Sequence, residues 1–363
     1  MADVAQSQIE EALKSYIDPY LEKDLVSAKA VKNIKVEGGN VTIDIVYGFP
    51  INGYKNDLSE KLTGIVKAIA GVDSVTINTS FKIASHAVQK GVNMIPGVKN
   101  IIAVASGKGG VGKSTTSVNL ALALSAEGAT VGILDADIYG PSQPRMLGIS
   151  KQPESEDGKS LEPLMNYNIQ SMSIGYLIDE ETPMIWRGPM VTQALEQLLK
   201  DTKWKDVDYL IVDLPPGTGD IQLTLAQKVP VTGAVIVTTP QDIALLDARK
   251  GLKMFEKVEV PVLGIIENMS IHICSECGHA EHIFGEGGGD RMAAESDVDM
   301  LGALPLDMSI RIGTDEGKPT VAVDPEGTVA SIYRDIARHV AAKLSQKTKD
   351  HTAAFPNIVI QNN

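Results

Sequence analysis

The residues between positions 107 and 115 combine glycines, lysines and hydroxyl side chains in a spacing suited to phosphate binding. They are Gly107, Lys108, Gly109, Gly110, Val111, Gly112, Lys113, Ser114 and Thr115. In such a loop the glycines let backbone N–H groups converge on phosphate oxygens, Lys113 neutralises the terminal phosphates and the Ser114 hydroxyl ligates Mg²⁺. The whole segment is therefore predicted to bind a nucleoside triphosphate.

The flanking residues place this loop between a strand and a helix. Residues 101–105 form a short apolar run typical of a buried parallel strand, and Val118, Ala121 and Leu122 recur at helical spacing before Gly128. Strand, glycine loop and helix, in this order, form the context in which the motif binds phosphate. A coincidental turn would lack these flanks.

Two acidic segments follow later predicted strands. Asp135 and Asp137 come after the apolar residues 130–134, and Asp213 ends the apolar run 209–212. Carboxyl ends of parallel strands share one edge of a sheet, so we expect these carboxylates near the phosphates. We assign Asp137 to the attacking water and Asp213 to the Mg²⁺ side, although an acid can also simply cap a strand end.

Asn268 is the candidate for contact with the base. It follows the predicted strand 262–266, and its carboxamide can donate and accept hydrogen bonds at once. The sequence has no Asn-Lys-x-Asp string of the kind that reads guanine. ATP is therefore favoured over GTP, and a polar cap at the strand end is the alternative role for Asn268.

The only two cysteines, Cys274 and Cys277, lie three positions apart. In a reducing compartment this spacing indicates a metal or redox role rather than a disulfide framework. His272, His279 and His282 flank the pair, so a zinc site with two cysteines and two histidines is chemically reasonable. A dithiol redox pair is a further alternative.

Composition and charge exclude several classes of protein. Hydrophobic residues make up 43% of the 363 residues, and the net charge is −13. An acidic chain is poorly suited to nucleic acid, because phosphate-backbone binding needs a basic surface. No apolar run is long enough to span a membrane, and the polar N-terminus does not resemble a signal peptide. We expect a cytoplasmic protein that binds neither nucleic acid nor membrane.

The order of apolar segments predicts two units. Residues 1–84 suggest a small α+β domain with helices at 9–20 and 56–69 and strands at 31–36, 41–46 and 73–78. We predict a linker at 85–98, an α/β domain at 99–345 and a flexible tail at 346–363. Seven strands are predicted in the α/β domain, at 101–105, 130–134, 169–174, 209–212, 233–238, 262–266 and 300–303. Their alternation with helices implies a mostly parallel sheet between helical layers.

Together these motifs resemble the Mrp/ApbC family. The resemblance covers residues 99–340 and is carried by the loop at 107–115, the segments 135–142, 186–190 and 213–220, and the strings at 268–270 and 274–278. Members are P-loop ATPases that carry iron–sulfur clusters. Residues 1–84 resemble the MIP18-like domain often fused in front, but the segment 48–51 lacks the cysteine that related domains commonly have there.

This resemblance gives a role to Lys108 and to the cysteine pair. In the deviant P-loop ATPases, the extra lysine reaches across a two-fold interface to the partner's nucleotide; a solvated lysine is the alternative. Cys274 and Cys277 supply half the thiolates of a [4Fe-4S] cluster, so two pairs on a two-fold axis would complete it. Both features predict a homodimer with a bridging cluster.

The resemblance implies an ATPase that takes a [4Fe-4S] cluster from a scaffold protein and transfers it to apoproteins. The catalytic residues would be Lys108, Lys113, Asp137 and Asp213. Two other classes fit less well. A zinc-containing ATPase that positions cargo would need a basic face or terminus, and a metal-insertion GTPase would need guanine recognition and a histidine-rich segment.

Overall fold

The computed structural model describes residues 4–89, 91–178 and 188–348. The N-terminal unit consists of α1 (Gln6–Lys14), β1 (Ile17–Asp18), β2 (Lys23–Asp24), β3 (Val31–Glu37), β4 (Asn40–Tyr47), α2 (Lys55–Lys67) and β5 (Ser74–Phe81). Strand β4 lies between β3, to which it is antiparallel, and β5, to which it is parallel. The predicted α+β pattern is confirmed for this unit.

The first helix is shorter than predicted. It ends at Lys14, not at residue 20, and the Ser15 hydroxyl donates to the Ala12 carbonyl at its end. Pro19 explains the difference, because proline disfavours helical backbone in the residue before it. Asp18 instead lies in β1, and its buried carboxylate accepts a hydrogen bond from the Tyr47 hydroxyl.

The larger unit is an eight-stranded sheet covered by helices on both faces. Its strands are β6 (Val98–Ala105), β7 (Val131–Asp135), β8 (Leu164–Asn166), β9 (Ile169–Ser173), β10 (Val207–Asp213), β11 (Gly233–Thr238), β12 (Val262–Glu267) and β15 (Met300–Ala303). The order across the sheet is β15-β12-β11-β6-β10-β7-β9-β8. All seven predicted strands belong to it and pair in parallel, whereas the short β8 is antiparallel and was not predicted.

The remaining elements lie between these strands or follow the last of them. They are the helices α3 (Lys113–Ala126), α4 (Gln143–Met146), α5 (Gly188–Asp201), α6 (Asp220–Lys228), α7 (Asp242–Lys257), α8 (Gly288–Glu295), α9 (Met308–Asp315), α10 (Thr320–Val323) and α11 (Thr328–Ser345), with the small hairpin β13 (His272–Ile273) and β14 (Ala280–Glu281). None of the helices in the described ranges has the length and apolarity needed to cross a bilayer.

The central strands are buried on both faces, as the continuous apolar runs predicted. Helices α3 and α11 pack on one face of the sheet, and α5 and α7 pack on the other. Residue Asp213 of β10 pairs in register with Asp135 of β7, so the two carboxyl groups emerge side by side. The sheet thus brings the predicted acidic segments to the edge where the glycine loop begins.

Helix α5 adds a buried face to the larger unit. Val191, Leu195 and Leu198 of this helix are buried in the core. Of the segment 186–190, residues 186 and 187 lie outside the described ranges, as does most of the predicted tail at 346–363.

The two units meet around Glu127, the residue that follows α3. Its fully buried carboxylate pairs with Arg334 and Arg338 of α11, at 2.9 and 2.8 Å, and accepts a hydrogen bond from the Gly53 N–H of the N-terminal unit. The Asn52 N–H donates to the Glu127 carbonyl. One buried carboxylate therefore links the glycine-loop helix, α11 and the N-terminal unit.

Candidate functional site

The glycine loop connects β6 to α3 at the carboxyl edge of the sheet, as predicted. A Cβ atom on Gly107 would lie 2.1 Å from the carbonyl carbon of Asp247 in α7, so only glycine fits there. Gly112 has a φ of +82° and caps α3, whose first residue is Lys113. The loop therefore leads directly into a helix N-terminus, where free backbone N–H groups and the helix dipole favour an anion.

Lys113 and Asp213 form a buried ion pair beneath the loop. The Ser117 hydroxyl donates to one oxygen of Asp213 and the Gln143 amide donates to the other, each at 2.9 Å. The Lys113 ammonium also lies 3.1 Å from the Ser114 hydroxyl oxygen. The structure thus brings three predicted site residues, Lys113, Ser114 and Asp213, into one polar cluster.

Asp135 organises the loop that follows β7. Its buried carboxylate accepts hydrogen bonds from the backbone N–H groups of Asp137, Ser142 and Gln143 and from the Ser173 hydroxyl, at 3.0 to 3.1 Å. Burial and the neighbouring charge of Asp213 raise the pKa of Asp135. Since both of its oxygens accept hydrogen bonds, Asp135 shapes the loop that follows β7.

Asp137 is half-buried in the same loop. Burial raises the pKa of its carboxyl group, and the charge of Lys113 opposes that shift. A raised pKa strengthens the carboxylate as a proton acceptor. This environment suits a general base.

Asn268 lies directly after β12 and contacts the glycine loop. Its side-chain amide donates to the Val111 carbonyl at 2.9 Å, and a Cβ on Gly112 would lie 2.1 Å from the same nitrogen. The Asn268 N–H donates to the Thr238 carbonyl. The side chain therefore braces the phosphate loop, a contact that the sequence did not predict.

The cysteines lie at the tip of a small hairpin formed by β13 and β14. The Cys274 N–H donates to the His279 carbonyl, and the Gly278 N–H donates to the Cys274 carbonyl, each at 2.9 Å. The backbone N–H groups of Cys277 and Glu276 lower the pKa of the Cys274 thiol. Cys277 is exposed and Cys274 half-exposed, so the pair faces solvent.

The flanking histidines make other contacts. A ring nitrogen of His272 lies 3.1 Å from the Leu306 carbonyl oxygen, and one of His282 lies 2.8 Å from the Ser270 carbonyl oxygen. Within the described ranges, no three His, Cys, Asp or Glu side chains converge as a metal site. Among the described residues, the structure therefore does not bring together two cysteines and two histidines, the alternative zinc set.

Lys108 is half-buried beside the glycine loop. The Ser106 hydroxyl donates to its carbonyl at 2.9 Å, which holds the backbone. In the part of the chain that the structure describes, its ammonium pairs with no carboxylate. The side chain is thus available to a group outside this chain.

The family model described as NUBPL iron-transfer P-loop NTPase matches residues 97–341. The chain belongs to this family. A second model, described as iron–sulfur cluster assembly protein, matches residues 6–78. The resemblance inferred from the motifs is therefore confirmed for both parts of the chain.

Similar proteins agree with this family. An iron–sulfur cluster carrier protein from Salmonella typhimurium is 51% identical over 343 residues, which are 94% of this chain and 93% of that protein. The iron–sulfur cluster transfer protein NUBPL from Mus musculus is 52% identical over 69% of this chain and 79% of its own. This chain is thus an iron–sulfur cluster carrier or transfer P-loop NTPase by family.

A solved structure confirms the predicted P-loop NTPase fold. The nucleotide-binding protein from Archaeoglobus fulgidus, in complex with ADP, is 36% identical, with a TM-score of 0.57. The match covers 65% of this chain and 93% of that protein. The family fold thus coincides with the eight-stranded sheet and its helices.

Sequence reasoning missed three residues of the polar cluster, namely Ser117, Gln143 and Ser173. All three are buried, and each bonds to Asp135 or Asp213. The sequence could have indicated Ser117, because it lies one helical turn after Lys113. It could not have indicated Gln143 and Ser173, because only the folded loop and the β7–β9 pairing bring them close to the aspartates.

Proposed function

We propose that the chain is an ATP-binding and ATP-hydrolysing carrier of a [4Fe-4S] cluster that works as a homodimer in the cytoplasm. The observation that carries this proposal is the contact between Asn268 and Val111. Because Asn268 is six residues before Cys274, one short segment contacts the phosphate loop and continues into the cysteine hairpin. Nucleotide and cluster would thus act on adjoining parts of one segment.

The buried polar cluster supports the nucleotide half of the proposal. The Ser114 hydroxyl and the Asp213 carboxylate are hard oxygen donors, which suit Mg²⁺, and Mg²⁺ would neutralise charge on the phosphates. The loop N–H groups and Lys113 would bind the phosphates of ATP. In this structure Lys113 forms an ion pair with Asp213, so each of these two buried charges has a partner of opposite sign.

Hydrolysis would use Asp137 as the base. Its carboxylate would take a proton from the attacking water, whose oxygen bonds to the γ-phosphorus as the bond to ADP breaks. Lys108 would reach the nucleotide of the second subunit and stabilise the charge there. Asn268 would contact adenine as well as the loop.

The cysteine hairpin supports the cluster half. The exposed Cys277 and the half-exposed Cys274, whose thiol has a lowered pKa, can supply two thiolate ligands, and a [4Fe-4S] cluster needs four. A two-fold dimer would bring the pairs of two chains together. Scaffold proteins would deliver the cluster and apoproteins would receive it.

Nucleotide state would control the cluster by changing the dimer geometry. The segments 135–142 and 213–220 adjoin the phosphate site and are the parts expected to move. Hydrolysis would be slow, because its purpose is to time loading and release. Cluster transfer rates to an apoprotein should therefore differ between ATP, ADP and no nucleotide.

The proposal is tested by anaerobic reconstitution with iron and sulfide. The Cys274→Ala/Cys277→Ala variant should lose the brown chromophore and its bound iron, while its affinity for ATP stays within about twofold of wild type. Ser275→Ala, in the same loop, is the matched control and should load fully. A full chromophore in the double variant would refute the proposal, and a colourless protein with stoichiometric zinc would support the zinc alternative.

A further inference from the structure

A basic cavity lies on the seam between the N-terminal unit and the end of α11. Its volume is about 730 Å³, which is within the range of ligand-binding cavities. The walls come from the residues around β2, the start of β3, the end of β4, the residues after β5 and residues 345 and 346 at the end of α11. Both units must therefore be in contact for this cavity to form.

Four lysines line the cavity, namely Lys23, Lys29, Lys32 and Lys82, and no aspartate or glutamate does. Among the described residues, none of these four ammonium groups forms an ion pair with a carboxylate. The chain as a whole carries a net charge of −13. An uncompensated cluster of positive charge in an acidic protein favours an anionic ligand.

Two of the lysines are held at the cavity by contacts of their own. The Lys32 ammonium donates to the Lys29 carbonyl at 2.6 Å. The Lys23 ammonium lies 3.4 Å from the side-chain oxygen of Gln346, across the seam between the units. These contacts keep positive charge at the wall without neutralising it.

The cavity also has an apolar floor. Leu21, Ala30 and Tyr47 line it and are at most 8% exposed, and Val46 contributes to the same wall. A free phosphate would leave this surface unused, and a membrane or nucleic acid would need a flat or extended basic surface. Carboxylates interleaved with apolar side chains match both the lysines and the floor.

We propose that this cavity binds an acidic, partly apolar peptide segment of another protein. The lysines would pair with its Asp and Glu side chains, and the floor would bury its apolar ones. This proposal goes beyond the carrier function, because the cavity residues are not those that bind nucleotide or cluster. The test of this proposal needs neither nucleotide nor cluster.

The test measures fluorescence anisotropy of a labelled short peptide in which Asp and Glu alternate with Leu and Phe. The full chain, without nucleotide or iron, should bind it, and Lys29→Gln/Lys82→Gln should weaken binding at least tenfold. Lys61→Gln/Lys67→Gln on α2 removes the same charge from exposed positions outside the cavity. This control should change binding less than twofold.

Several outcomes would overturn the proposal. These are absence of binding at low salt, equal weakening by both variants, and equal binding of a peptide with Gln and Asn in place of the acids. Binding of vesicles rich in anionic lipid, with the same dependence on Lys29 and Lys82, would assign the site to a membrane instead. Binding only after removal of residues 349–363 would show that the chain's own tail occupies the cavity.

A second readout locates the bound peptide. Acetylation of lysines followed by mass spectrometry should show that the peptide protects Lys29 and Lys82 but not Lys61 and Lys67. Protection of both pairs would indicate non-specific attraction and contradict the proposal. The Cys274→Ala/Cys277→Ala variant should bind the peptide like wild type, which separates this result from the test of cluster binding.

Discussion

At the scale of single residues, the structure gives different surroundings to Asp135 and Asp137, which lie two positions apart in the sequence. Burial raises the pKa of both carboxyl groups, but Asp135 is fully buried and accepts hydrogen bonds from the backbone of its own loop, whereas Asp137 is only half-buried. The difference comes from burial and hydrogen bonding rather than from residue type. It supports the assignment of Asp137 as the base.

Replacement of Asp137 by asparagine should lower the rate of ATP hydrolysis by about a hundredfold or more, because the amide cannot accept the proton. Phosphate release measures the rate, and equilibrium binding of a fluorescent ATP analogue should stay within about threefold of wild type. Asp157→Asn, in an exposed loop away from the site, is the control. Hydrolysis at the wild-type rate in Asp137→Asn would exclude the assignment.

The pH profile gives a second readout for Asp137. Its carboxyl group must be deprotonated to act, and burial raises its pKa. The wild-type rate should therefore rise with pH, and the midpoint of this rise should lie above the pKa of about 3.9 expected for an exposed aspartate. The residual activity of Asp137→Asn should not show this rise.

At the scale of elements, close backbone packing fixes the phosphate loop. Gly107 lies against the backbone of α7, whereas Gly109 has no atom within 4 Å of where its Cβ would be. The loop is therefore held by a neighbouring helix as well as by its own sequence. Asn268 adds a third support from β12.

Gly107→Ala should destabilise the protein by about 1–3 kcal/mol, because its methyl group would displace the loop or α7. Thermal unfolding measures the loss, which should be accompanied by weaker nucleotide binding. Gly109→Ala meets no protein atom and should unfold at nearly the wild-type temperature. Equal stability of the two variants would contradict the importance of the α7 contact.

The carboxylate between the units offers a second test at this scale. Glu127→Ala would leave Arg334 and Arg338 without their shared partner in a largely buried place, at a cost of about 3 kcal/mol in unfolding free energy. Glu326 also lies near Arg334, but it is 88% exposed, so Glu326→Ala should cost less than about 0.5 kcal/mol. Urea unfolding measures the free energy of unfolding of both variants. Similar losses in the two would contradict the role of Glu127 as the link between the units.

At the scale of the whole molecule, the proposed carrier is complete only as a pair of chains. Two thiols per chain and a cluster that needs four give an expected content of about two iron atoms per chain. Anaerobic ultracentrifugation with iron analysis should find the iron in the dimer. Removal of iron with a chelator should shift the population toward monomer, and an iron-loaded monomer would contradict the proposal.

The sequence by itself determined much of the fold and of the nucleotide site. The glycine loop, its flanking strand and helix, and the apolar runs of the sheet follow from local rules of spacing and burial. For that reason seven parallel strands and the loop at 107–115 were predictable, and the family could be inferred from motifs. The end of the first helix was missed because one proline outweighed the apolar pattern.

Only the tertiary structure decided which groups meet. Gln143 and Ser173 reach the aspartates through a folded loop and strand pairing, Asn268 reaches Val111 from 157 positions away, and Glu127 joins the two units. These contacts depend on the three-dimensional crossing of distant segments, for which local spacing carries no signal. Their geometry gives the predicted residues their different surroundings.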